Sequence, residues 1–263
     1  MRIRIQQIGA QAVYKELVSR EAARPNSEQH ASGHLFGRLL YEAEGIQGVS
    51  ICDQNLFAGC FHEFIARAII DKGFSVIQRM ETACEAQSWP VACQHGIGHG
   101  LIAYLGYTTL SLNKALDECS KLPERDPTKG CYGGALMEMN LQTMNGAIPR
   151  LFSENKPRGI CDEVAKVYRP SCFFWLPQWW RESHLKNLSL SEMFAGQGSL
   201  CIETAANREE RKFCFEGIGY TVPPAVEFDF EKSKALCEDV SSDAQDQTYC
   251  WDVASEAAGH KGF

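Results

Sequence analysis

ETACEAQSWPVACQHGIGHGLIAYLGY, residues 81–107, contains one whole unit of this chain. An apolar-periodic segment runs into Cys84. A short polar connection with Pro90 follows, and Cys93 opens a second apolar segment that stops at Gly106. Apolar residues at i, i+3, i+4 and i+7 define an amphipathic helix, and a glycine just past the last periodic residue is a common helix stop. The stretch predicts a helical hairpin: helix A ends at Cys84, helix B begins at Cys93, and a disulfide ties them near the turn.

The same grammar extends in both directions. The twelve cysteines fall into Cys52/Cys60, Cys84/Cys93, Cys119/Cys131, Cys161/Cys172, Cys201/Cys214 and Cys237/Cys250, 8 to 13 residues apart within a pair. The first cysteine advances by 32, 35, 42, 40 and 36 residues from pair to pair. LSLNKALDEC (110–119) and FEKSKALC (230–237) end on a first cysteine; CFHEFIARAIIDKG (60–73) and CYGGALMEMNLQTMNG (131–146) open on a second. Gly73, Gly106, Gly146 and Gly259 stand where helix B should stop. An extra hairpin precedes the first cysteine, with helix A over 6–23 and helix B from Asn26 to Gly45 behind the capping signal PNSEQ. A lone hairpin cannot bury its apolar face, whereas stacked hairpins can. The expectation is an all-α solenoid of about seven hairpins, six of them with an internal disulfide. It forms one helical-repeat domain over 1–263, His-rich in units 1–146 and aromatic and acidic in 147–263.

An even cysteine count with no CxxC favours disulfides over zinc ribbons or redox motifs. Disulfides between neighbouring units would fit the spacing too. Persistent disulfides imply a periplasmic or secreted protein. Each loop of this length contributes about 2.5–3 kcal/mol in the chain-entropy account. The opening MRIRIQQIGAQAVYKELV has no apolar core of a signal peptide, so the leader of an exported form is expected outside this chain. No run approaches the roughly 18 apolar residues of a membrane span. The formal charge of -7 argues against nucleic acid, which needs a basic face. P-loop, GxGxxG and GxSxG motifs are absent.

The 81–107 unit resembles the disulfide-stapled, tetratricopeptide-like repeats of the Sel-like type. Shared features are an alanine–cysteine ending helix A, a cysteine opening helix B, then a glycine and an aromatic before the next unit, at a period of about 36. The resemblance follows the rhythm of residues 50–255. It implies a right-handed superhelix, export, and a concave face that binds a peptide, protein or glycan fragment.

Used as rulers, the helix B stops align the histidines. His34, His62 and His95 each lie 11 residues before Gly45, Gly73 and Gly106. His30 lies one turn before His34 and His99 one turn after His95, so five of the seven histidines share one stripe. Residues four apart face the same way on a helix. Both HASGH and HGIGH are therefore chelating pairs, with a glycine between the rings that leaves room for a ligand or another backbone. Imidazole suits zinc, copper or iron. Packed helices lie roughly 8–10 Å apart, so adjacent units can share an ion and units two apart, roughly 18–20 Å away, cannot unless the stack curls. The expected ligand sets are His62 with His95 and His99, or His62 with His30 and His34; a two-metal site takes all five.

His62-Glu63 begins an HExxH, but Ala66 stands in place of its second histidine. If an ion keeps an open position, Glu63 or Glu138 is the candidate catalytic proton carrier. The alternative to a metal protein is a metal-free scaffold whose histidines merely line a peptide-binding face. In later units the stripe reads Gly133, Phe174, Glu216 and Asp252, an expected polar wall. Tyr41, Tyr104 and Tyr220 are candidates to supply a proton beside the stripe. CFFWLPQWWRE (172–182) is either a core around a helix broken at Pro177 or a partner, lipid or sugar-stacking surface. His184 and His260 fall off the stripe and read as surface residues.

Overall fold

The periodic segments fold as helices, and there is no strand among the described residues. The computed structural model describes residues 1–87, 89–123, 125–144 and 156–259. It divides into two compact units, Met1–Glu138 and Met139–Phe263. The division falls a few residues before the composition shift expected at 146/147.

Unit 1 begins with α1 (Arg2–Ile8) and α2 (Ala10–Glu21). The single helix expected over 6–23 is cut by Gly9, whose φ of 84° no helix accommodates. Then come α3 (Asn26–Glu44), α4 (Gly59–Lys72), α5 (Ile77–Glu85), α6 (Pro90–Leu105), α7 (Thr109–Cys119) and α8 (Cys131–Met144), within which the division falls. The start of α3 is as expected, but its N-cap is Pro25 and no side chain caps it. Gly45, Gly73 and Gly106 end α3, α4 and α6 with φ of 58°, 63° and 92°. Gly146 lies outside the described residues.

Six disulfides join the six sequential pairs, with every cysteine buried. In two units the described residues that lead into the first cysteine form a 3-10 turn and not an α-helix. Cys52 follows a 3-10 turn over Gly45–Ile51, and Cys161 sits in another over Gly159–Asp162. GIQGVSI holds two glycines and β-branched residues, which disfavour α-helix.

The helix B series α3, α4, α6 packs in chain order, with α4 in the middle. Glycine sets the spacing. A Cβ added at Gly37 would collide with the Cys60 carbonyl, one at Gly59 with the His30 carbonyl, and one at Gly96 would lie 3.0 Å from the Phe61 carbonyl. Between α6 and α8 the contact is reciprocal: Gly98 faces the Cys131 carbonyl and Gly134 the His95 carbonyl. The room expected between the histidines is filled by the neighbouring backbone. Backbone contact of this kind brings axes closer than the roughly 8–10 Å of side-chain packing.

Unit 2 contains α9 (Arg169–Ser183), α10 (Leu190–Thr204), α11 (Arg208–Ala225), α12 (Phe230–Asp239) and α13 (Ala244–Gly259). Here α11 packs between α9 and α13, with Gly217 on the Phe174 carbonyl and Gly219 on the Cys250 carbonyl. Phe173, Phe174, Trp175, Trp179 and Trp180 are all buried, so the aromatic run is core and not a docking surface. α9 continues through Pro177 unbroken. Phe174 thereby departs from the expected polar wall. His184 is half-buried edge-on against Trp179, 5.0 Å between centroids, and is not a free surface residue. His260 lies outside the described residues.

Candidate metal centre

α3 supplies His30 and His34, α4 supplies His62, and α6 supplies His95 and His99. The i, i+4 spacing on α3 and α6 aims each pair at one point, and the glycine contacts bring the pairs against His62 from both sides. Ring centroids lie 4.5 Å apart for His30/His34 and 4.9 Å for His95/His99. His62 stands 5.0 and 5.3 Å from His30 and His34, and 5.2 and 4.5 Å from His95 and His99. His62, His95 and His99 are buried, and His30 and His34 half-buried. In two triads, His30–His34–His62 and His62–His95–His99, one nitrogen from each ring lies within 4.8 Å of the others. The histidines of both expected sets are therefore brought together around the one central ring.

Protein oxygens fix most of the rings. His30 Nδ1 donates to the Phe57 carbonyl at 2.9 Å, and His95 Nδ1 to the Lys129 carbonyl at 2.8 Å. His99 Nδ1 donates to Glu138 Oε2 at 2.8 Å, and Glu138 Oε1 accepts from Tyr107 at 2.8 Å. A carbonyl can only accept, so Nδ1 carries the proton on His30 and His95, and Nε2 presents its lone pair. His34 Nε2 lies 2.9 Å from His30 Nε2. Two nitrogens held about 2.0–2.1 Å from one ion stand roughly 2.9–3.4 Å apart. The pair is near that spacing already.

The accepting carbonyls are built features. Leu56, Phe57 and Ala58 are three consecutive left-handed residues, φ 54°, 51° and 57°. Each is unfavourable by about 1–2 kcal/mol for a residue with a Cβ. Strain of this kind persists where surrounding structure over-determines it, often at functional sites. Here it delivers the Phe57 carbonyl to His30. The Lys129 carbonyl is placed by Asp126, whose Oδ1 accepts from the Thr128 and Lys129 amides at 2.7 Å each.

Electrostatics favour the neutral form of His30, His34, His62 and His95. Burial first, then the neighbouring imidazoles, holds His34 down at about 3. Burial, then His99, does the same to His95, also at about 3. Burial pushes His62 well below the ordinary range and lowers His30 as well. His99 disfavours protonation of His30 across two helices, so the outer pairs sense each other. Neutral imidazole is the ligating form. His62 Nδ1 and His99 Nε2 are buried without a hydrogen-bond partner among the described residues. Each such atom is unfavourable by roughly 1–3 kcal/mol, a debt that a bound cation would remove.

Glu138 adjoins the cluster with both oxygens engaged. Glu63 pairs with Arg67 at 2.8 Å and stands close enough to Tyr107 to hinder its ionisation. Tyr41 donates to Asp71, Tyr104 packs on Phe74, and Tyr220 packs on Phe174 and Trp175 in unit 2. None of the three takes the place of Tyr107, which sequence reasoning missed. Its signal was the aromatic after the Gly106 stop. The Phe57 and Lys129 carbonyls carried none, because any residue supplies one.

Glu138→Gln is expected to weaken metal binding about 10–100-fold with helicity unchanged, as loss of an orienting carboxylate does elsewhere. Competition against a chromophoric chelator measures it. The geometry defines a buried, all-imidazole centre in a disulfide-stapled helical protein, and its histidine groups can hold a metal ion. No family model, curated protein or solved structure matches the chain.

Proposed function

We propose that this is an extracytoplasmic metal-binding protein whose histidines hold zinc or copper. One observation carries the reading: five imidazoles from three helices converge, with three Nδ1 atoms tied back to protein oxygens. An all-nitrogen set with every cysteine in a disulfide suits zinc or copper, whereas the common iron triad includes a carboxylate. Three protein nitrogens leave an open position, as in catalytic rather than structural zinc sites. In that chemistry Glu138 positions His99, and Glu63 is the remaining candidate proton carrier. Six disulfides support an oxidising compartment. No helix among the described residues is long and apolar enough to cross a membrane. The recurring stapled hairpin and its glycine contact support the right-handed solenoid and the affinity to Sel-like repeats, which belong to the same proposal.

Elemental analysis after chelator-free purification tests it. The expected result is stoichiometric zinc or copper, lowered in His95→Ala with the helical dichroism intact. A protein that carries no transition metal and takes up none on titration would overturn the reading.

A further inference from the structure

We infer that the centre takes two ions, joined through the ring of His62. The inference rests on the metal-binding reading above and adds stoichiometry and a bridge. It follows from counting ring nitrogens. His30, His95 and His99 each hold Nδ1 against a protein oxygen, so Nε2 is the nitrogen each ring can turn toward an ion. His34 directs Nε2 at His30 Nε2, 2.9 Å away. His62 Nδ1 is buried with no hydrogen-bond partner among the described residues.

Position agrees with this inventory. His62 stands on the middle helix with one chelating pair on each flank, 4.5–5.3 Å from all four rings. It belongs to both triads. A single ion would use one His62 nitrogen and leave the other unpaired. It would also face five donors, where zinc takes about four. Two ions, one per flank, give each a pair of outer histidines and one nitrogen of His62. Neutral imidazole carries a single N–H, so the second ion displaces that proton to solvent and leaves a bridging imidazolate. The Glu138 carboxylate on His99 offsets part of the accumulated positive charge.

Copper(II) titration of the oxidised full-length chain tests the bridge, read by bound copper and by electron paramagnetic resonance. The expected result is two coppers per chain, with a signal that grows to the first equivalent and falls with the second as the spins couple through the ring. In His62→Ala any bound copper should keep its full signal. The double variant His30→Ala/His34→Ala should bind one copper with undiminished signal. Wild-type protein that saturates at one copper, or binds two with additive signals, overturns the bridge while leaving metal binding intact. Uptake of no copper or zinc overturns both. The wild-type titration decides the matter even if a variant fails to fold.

Discussion

Gly98→Ala is expected to destabilise unit 1 by about 3 kcal/mol, at the upper end for overpacking a close contact. In an ordinary helix interior the change would stabilise by about 1 kcal/mol, since alanine is the better helix former. At Gly98 a new Cβ would meet the Cys131 carbonyl and the Ala135 amide nitrogen, both backbone atoms with no rotamer to yield. α6 and α8 must then separate. His99 would lose its contact with Glu138, and His95 with Lys129, so metal affinity should fall with stability. Gly196→Ala in α10 is the control. Its Cβ meets only the end of the Leu185 side chain, at 2.8 Å, which can swing away. Urea midpoints of the two variants should move in opposite directions or differ by most of that amount. Equal midpoints would show that the glycine contacts do not set the helix spacing.

Metal-free protein is expected to lose about 4 kcal/mol between pH 7.5 and 5.0 from His34 and His95 alone, at about 1.4 kcal/mol per histidine per pH unit. The sign follows from linkage. Both histidines have folded-state values near 3, against about 6.5 unfolded. Below 6.5 the unfolded chain binds protons that the folded chain cannot, so stability present at neutral pH is lost as pH falls from 6.5 toward 3. His62 and His30 act in the same direction. His99 opposes protonation of all four, and Glu138 favours it at His34. The loss is large against the 5–15 kcal/mol of an ordinary domain. Denaturant titrations of chelator-treated protein across this range measure it. A curve flat from pH 7.5 to 5.0 would mean that the rings are hydrated and the cluster open. With zinc or copper bound the transition should shift to lower pH, because the ion must leave before the rings protonate.

Much of this protein was legible without coordinates, and for one reason. Cysteine spacing and helical periodicity are local, so they phased the helices, grouped the cysteines in close pairs and aligned His34, His62 and His95, while the choice of disulfides within hairpins over disulfides between units came from the folded chain. Propensity was legible too but misread in places: the helix expected over 6–23 breaks at Gly9, and Gly45–Ile51 is a 3-10 turn. The aromatic run 173–180 could be core or surface by composition, and only its neighbours on every side decided for core. Helix separation could not be read from the sequence, where the glycines left room for either a ligand or another backbone and ordinary side-chain spacing was assumed. Tertiary packing sets helix backbones against each other at those glycines, and so brings all five rings together where units two apart had looked too distant. The tilt of His30, His95 and His99 depends on the Phe57 and Lys129 carbonyls and on Glu138, groups 27 to 39 residues away in the chain. The order and identity of the ligands are thus written locally. Their convergence on His62 is a property of the packed helices, because distance between segments far apart in sequence exists only once the chain has folded.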